Sequence, residues 1–233
     1  MHSLLGFVIS MLLVFRTNTA YDRWWEGRKL WGSLVNNSRN LAIKLAAILP
    51  IEEKTHRNFF RKIIPAYAYA LKNHLGHEST RTALFETGEA LEQRIQKDKH
   101  IPNQVAVLMI NRVNQLYNEG KIKGDQLIVL NGELQSFTDI CGACERIKNT
   151  PIPYSYSVFL KKFIFFYVMT LPWGYVFSLS YYVIPVVAFI FYVLASLELI
   201  AEEIEEPFGS DENDLPIDKI ARTIHRDADE ILV

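Results

Sequence analysis

The chain has 233 residues, enough for a sizeable core, with 25 Lys plus Arg against 26 Asp plus Glu and a formal net charge of −1. That balance argues against nucleic-acid binding, which calls for a basic excess. A mean hydropathy of +0.05 beside 22% charged residues implies segregation, with some stretches nearly all apolar and others nearly all polar.

Residues 4–15 open the chain as an apolar run closed by Arg16. The run has neither the basic start nor the small-residue cleavage site of a secretory signal, so it reads as a membrane segment. It is shorter than the ~20 residues a single span needs. That predicts shielding inside a protein ring, or a chain that continues upstream. Residues 16–150 are amphipathic with helical period. Leu30, Leu34, Leu41, Leu45 and Ile48 make one face, and Pro50 with Glu52 and Glu53 marks a stop and a new start. Phe59, Phe60, Ile63, Ile64, Tyr67 and Leu71 make a second face, broken at 74–80. A short helix is expected over 84–95, a longer one from Pro102 through Leu116, and, after the turn at Gly120 and Gly124, another over 127–147.

Between Lys162 and Glu198 no side chain is charged. The run is too long for one span, and Pro172, Gly174 and the polar 178–182 patch divide it into two expected helices, 163–176 and 183–199. Trp173 and the tyrosines near the turn fit an interfacial aromatic belt. A hairpin returns both ends to one side. Lys161 and Lys162, like Arg16, Arg23, Arg28 and Lys29 after the first segment, mark that side as cytoplasmic. Residues 201–233 are acidic, broken at Pro207-Phe208-Gly209, with a last helix over 217–231.

The chemical motifs point away from catalysis. Cys141 and Cys144 are the only cysteines. A redox C-x-x-C would want a βαβ setting and a zinc site two more ligands, so the pair reads as thiols packed in a helix. His74, His77 and Glu78 do not match zinc-peptidase spacing. There is no phosphate-binding glycine loop and no nucleophile elbow. The expectation is therefore no enzyme, no catalytic residue and no cofactor.

Residues 15–32, FRTNTAYDRWWEGRKLWG, closely resemble the segment after the pore helix of prokaryotic bestrophins. Cys141-Gly142 through Asn149-Thr150-Pro151-Ile152-Pro153-Tyr154 resembles that family's approach to its third membrane helix, and the uncharged hairpin its last two. Glu205-Glu206-Pro207-Phe208-Gly209 with Asp214-Leu215-Pro216 resembles the acidic segment beyond. The likeness runs from residue 3 to the C-terminus. The family has a further membrane helix upstream, and none stands before the first segment here.

The resemblance implies an all-α, bestrophin-like ring subunit: membrane helices plus a cytoplasmic helical bundle. Its parts are a pore-lining helix at 1–15, a cytoplasmic helical region at 16–160, a membrane hairpin at 161–200, and a cytoplasmic acidic segment with a C-terminal helix at 201–233. The expected unit is a homopentamer in the cell (inner) membrane, multi-pass, with most of the chain cytoplasmic. Its partners are further copies of itself, lipid and small inorganic ions, with no nucleic acid. Monovalent cations are the favoured cargo, on the prokaryotic form of residues 16–32 and the acidic cytoplasmic region. Chloride or another anion is the alternative, and a non-conducting scaffold or sensor the rival of another class.

Phe7, Met11 and Phe15, at i, i+4 and i+8, share one helix face. By spacing alone they read first as a lipid-facing or core stripe. The resemblance places them at the neck of the pore, where rings of apolar side chains gate by excluding water. It also implies a second narrowing near the helix after Gly124, lined by Asp125 or Gln126. Arg23 and Glu26, at i, i+3 beside Trp24 and Trp25, read as an interfacial anchor. The run from Glu202 to Asp214 reads first as a solvated acidic face. The sharper alternative is a calcium ion held by Glu203, Glu206, Asp211 and Asp214, positions that match the calcium clasp of eukaryotic relatives.

Overall fold

A computed structural model describes residues 2–76, 95–96, 98–209 and 211–233. Among these residues every regular element is helical: α1 His2–Ile48, α2 Lys54–Leu75, α3 Ile101–Asn118, α4 Gly124–Asn149, α5 Tyr154–Leu179, a 3₁₀ turn Ser180–Tyr182, α6 Val183–Glu205 and α7 Ile217–Ile231. Two compact units emerge. One is drawn from Met1–Glu26, Asn149–Pro207 and Asp211–Asp214, the other from Gly27–Lys148, Phe208–Ser210 and Leu215–Val233.

In the first unit the start of α1 packs on α5 and α6. Ile9, Leu13, Leu160 and Ile164 form a buried cluster, flanked by Leu12, Phe163, Tyr167, Val168 and Leu194. Gly6 permits the approach, since a Cβ there would stand 2.8 Å from the Tyr167 hydroxyl oxygen. α1 continues unbroken from the apolar run through Arg16 to Ile48. No proline or helix-ending glycine interrupts it, and Thr17 and Thr19 donate their hydroxyls back to the Leu13 and Phe15 carbonyls at 2.9 and 2.8 Å.

The two hairpin helices are longer than the expected 163–176 and 183–199. α5 starts directly after Pro153 and runs through Pro172 and Gly174 to Leu179, and α6 continues to Glu205. Charge ends neither helix. Lys161 lies inside α5, with Nζ 2.8 Å from a Glu202 carboxylate oxygen on α6. The chain turns where Ser180 takes a positive φ of 49°. Both α1 and the 154–205 stretch include sections long and apolar enough to cross a membrane.

The second unit is built around α2, which packs against α7 and α3. Phe60, Ile63, Ile64, Tyr67 and Leu71 are buried there, as the sequence period predicts. The Tyr67 hydroxyl donates to the Phe137 carbonyl at 2.8 Å. From α1, Trp31, Leu34, Leu41 and Leu45 enter the same core. α7 presents Ile217, Ile220, Ala221, Ile224 and Ala228 inward, the i, i+3, i+4, i+7 pattern of an amphipathic helix. Ion pairs fasten its outer face: Arg39 to Asp227 at 2.6 Å, Arg61 to Asp229 at 2.7 Å, and Lys72 to Asp218. Gly27 is buried beneath Phe208 and Leu215, whose nearest atoms would lie 3.1 and 3.3 Å from an added Cβ. α3, α4 and α7 fall close to their expected positions, with α4 reaching Asn149 rather than stopping at 147. The helix expected at 84–95 lies, but for Ile95, outside the described residues. So do His77, Glu78 and most of the break expected over 74–80, of which His74 and Leu75 still belong to α2.

Candidate functional site

α1 has two opposed faces over its first four turns. Ile9 and Leu13 are buried against α5 and α6, while Phe7, Met11 and Phe15 are 66%, 49% and 55% exposed. A 100° step per residue puts these three on the side away from Ile9. They form a continuous exposed apolar stripe, extended by Leu4. Being apolar on a stretch without charged side chains, the stripe offers no hydrogen bond to water or to an ion.

Immediately after the stripe comes a buried charged collar. Arg16 is 2% exposed. Its Nη1 lies 2.7 Å from Glu205 Oε2, and its Nε 3.7 Å from Glu198 Oε1. Glu205 also accepts the Ile152 backbone N–H at 2.7 Å. Arg23 donates from Nε to the Glu205 carbonyl at 3.0 Å and from Nη1 to the Thr150 carbonyl. The Trp24 indole N–H donates to the Asn213 carbonyl at 3.0 Å. Arg23 and Trp24 therefore hold the loops flanking α5 and α6 against α1, a role more specific than the interfacial anchor read from spacing. The collar joins three of the distant sequence stretches that carry the bestrophin resemblance.

Of the residues considered for calcium, Glu203 lies in the last turn of α6, and Glu206, Asp211 and Asp214 follow that helix. The Asp211 backbone N–H donates to Asp214 Oδ2 at 2.6 Å, and Asn213 donates to Glu203 Oε2 at 2.7 Å. Burial raises the Asp214 pKa above the usual range, against the hydrogen bond from the Asp211 backbone, with Asp211, Glu206 and Glu203 adding to the rise. Asp125 is exposed in the first turn of α4. Gln126 beside it accepts the Lys123 N–H at 2.9 Å and so closes the start of that helix.

Two arrangements escape sequence reading. One is the Arg16–Glu198–Glu205 collar, in which Arg16 stands more than 180 residues from both carboxylates. The other is the set His74, His100 and Glu145, whose ligand-type atoms all lie within 4.8 Å of one another; among the described residues it is the one such gathering of three. Burial lowers the His74 pKa, partly offset by its bond to Glu145. Burial would raise Glu145, but the hydrogen bonds from His100 and His74 outweigh it and hold the carboxyl below its usual value. Cys141 and Cys144 are buried in α4, and burial pushes the Cys141 thiol up to about 12. That is a packed thiol, not a reactive one.

Comparison with known proteins follows the same lines. The profile described as Bacterial/Fungal Bestrophin protein matches residues 1–230. The chain is 38% identical over 230 residues to a Nostoc protein named voltage-dependent anion channel-forming protein, covering 96% of this chain and 74% of that one. It is 33% identical over 226 residues to the Escherichia coli K12 protein named voltage-dependent anion channel-forming protein YneE, covering 97% and 74%. A crystal structure of a bacterial bestrophin homologue from Klebsiella pneumoniae superposes with a TM-score of 0.92 at 30% identity, covering 99% of this chain and 86% of that one.

Proposed function

The chain belongs to the bacterial and fungal bestrophin family, and from that premise we propose that it is a subunit of a homopentameric ion channel in the cell membrane. The observation that carries the reading is the exposed Phe7–Met11–Phe15 stripe on an uncharged section of α1. In a ring of copies each position becomes a ring of side chains, and three stacked apolar rings dewet a narrow tube. An ion entering must shed water with nothing to replace it, which is costly. Conduction down a gradient needs no catalytic residue and no cofactor. The apolar start of α1, up to residue 15, and the α5–α6 hairpin lie in the bilayer on this reading. The second unit, with Asp125 near a cytoplasmic narrowing, faces the cytoplasm.

Ion sign has two readings. Exposed Asp125, repeated around a ring, attracts cations and repels anions, which supports monovalent cations as cargo. The relatives named voltage-dependent anion channel-forming proteins favour the opposite sign.

The test is purification in detergent followed by reconstitution into liposomes. The reading expects the mass of five chains and flux that collapses an imposed ion gradient. Separate potassium and chloride gradients then assign the sign by reversal potential. A monomer, or liposomes no leakier than empty ones, would leave the scaffold reading in place of the channel.

A further inference from the structure

The geometry points to a divalent transition-metal site, best matched to zinc, formed by His74, His100 and Glu145 at the meeting of three helix ends. His74 lies in the last turn of α2, His100 caps the start of α3, and Glu145 lies near the end of α4. His74 Nε2 and His100 Nε2 stand 2.6 and 2.5 Å from the same carboxylate oxygen, Glu145 Oε1. The imidazole centroids are 4.3 Å apart. All three side chains are about one-third exposed, at 33%, 31% and 29%. An ion can therefore enter from solvent, and water can fill a fourth position.

The donor set selects the ion class. Two imidazoles and one carboxylate suit zinc and its first-row neighbours, whereas calcium and magnesium prefer six or more oxygens. Zinc bonds of roughly 2.0–2.1 Å at tetrahedral angles put ligand atoms about 3.3 Å apart. Each imidazole nitrogen thus needs to part from the carboxylate oxygen by less than about an ångström. Two neighbours bear on the exchange. His100 Nδ1 accepts the Asn103 N–H at 3.2 Å. A metal on Nε2 moves the ring proton to Nδ1 and gives up that long contact. The Lys148 ammonium donates to the His74 carbonyl at 3.2 Å, which fixes the end of α2 independently of the metal. Cys141 Sγ is 3.7 Å from Glu145 Oε1, but Cys141 is buried and its thiol is held protonated, which leaves the open position to water. The bound ion joins the ends of α2, α3 and α4, acting as a clip within the second unit.

The experiment uses tag-free, chelator-stripped full-length protein in detergent. Zinc titration by calorimetry should give one high-affinity site per chain that excess calcium or magnesium does not displace. Cobalt in place of zinc should give the visible absorption of a four-coordinate ion. His100→Asn keeps a good helix cap while removing the ligand, and Glu145→Gln keeps size while removing charge. Each should weaken zinc binding at least tenfold and abolish the cobalt bands, while Cys141→Ser should leave both unchanged. Stripped wild-type protein that takes up no zinc, or variants that bind it as tightly as the parent, would overturn the assignment. Because conduction is not the readout, the result is independent of whether the protein is a channel.

Discussion

The Arg16 guanidinium lies 2.7 Å from the Glu205 carboxylate with only 1% of its side chain exposed. It thereby joins the end of the apolar section of α1 to the end of α6. Glu198 stands on the other side of the same guanidinium at 3.7 Å. One cation thus offsets two buried or half-buried anions.

Removing that cation leaves carboxylates without a partner. Breaking a buried pair by deleting one member typically costs about 3–5 kcal/mol. Arg16→Ala should therefore lower the thermal midpoint in detergent strongly. Glu198→Gln, which keeps the closer Arg16–Glu205 pair, should lower it less. Equal midpoints for the two variants would mean that the collar does not act as one charged unit.

Gly27 lies where Phe208 and Leu215 close over α1, with Phe208 Cε1 3.1 Å from where a Cβ would stand. Gly27→Val forces bulk into that contact, and overpacking of this kind costs about 1–3 kcal/mol. The denaturant midpoint should fall accordingly. Reducing the facing side chain in Gly27→Val/Leu215→Ala should recover part of the loss. Two losses that simply add would show that the contact does not limit residue 27.

His56 is 4% exposed and lies among Lys121, Glu119, Glu53 and, further off, Arg112. Burial first, and then Lys121, lower its pKa. A histidine with a depressed folded pKa binds fewer protons when folded than when unfolded. Its contribution is whole above the unfolded value of about 6.5 and is lost as pH falls from there toward the folded pKa. Chemical denaturation should therefore show stability declining from pH 7 to pH 5. His56→Gln should flatten that slope, and an identical slope in the variant would exclude His56 as its source.

Much of this was legible in the sequence. The 3.6-residue period located α2, α3 and α4 because each buries an apolar stripe. The absence of charge between Lys162 and Glu198 marked the hairpin. Its helix ends were not legible, because Pro172 and Gly174 look like breaks while α5 tolerates both. The collar was invisible for a different reason. Arg16, Glu198 and Glu205 each read as an ordinary charge at a membrane edge, and only the fold brings them together. The same holds for His74, His100 and Glu145, which no local spacing connects.

If the proposed ring of Asp125 lines a cytoplasmic narrowing, Asp125→Asn should reduce cation preference, read as a shift of the reversal potential in a potassium chloride gradient. Conductance through the neck should be little changed. A reversal potential that does not move would remove Asp125 from ion selection.

The most direct test of the account is ion flux through the channel with Phe7, Met11 and Phe15 all replaced by alanine. Truncation widens the tube and lets water remain, so flux per reconstituted channel should rise markedly while ion preference stays close to the parent's. Single alanine variants should act in the same direction but more weakly, because the remaining rings still exclude water. A triple variant that assembles normally and conducts no faster than the parent would contradict the hydrophobic neck and return the stripe to lipid or subunit packing.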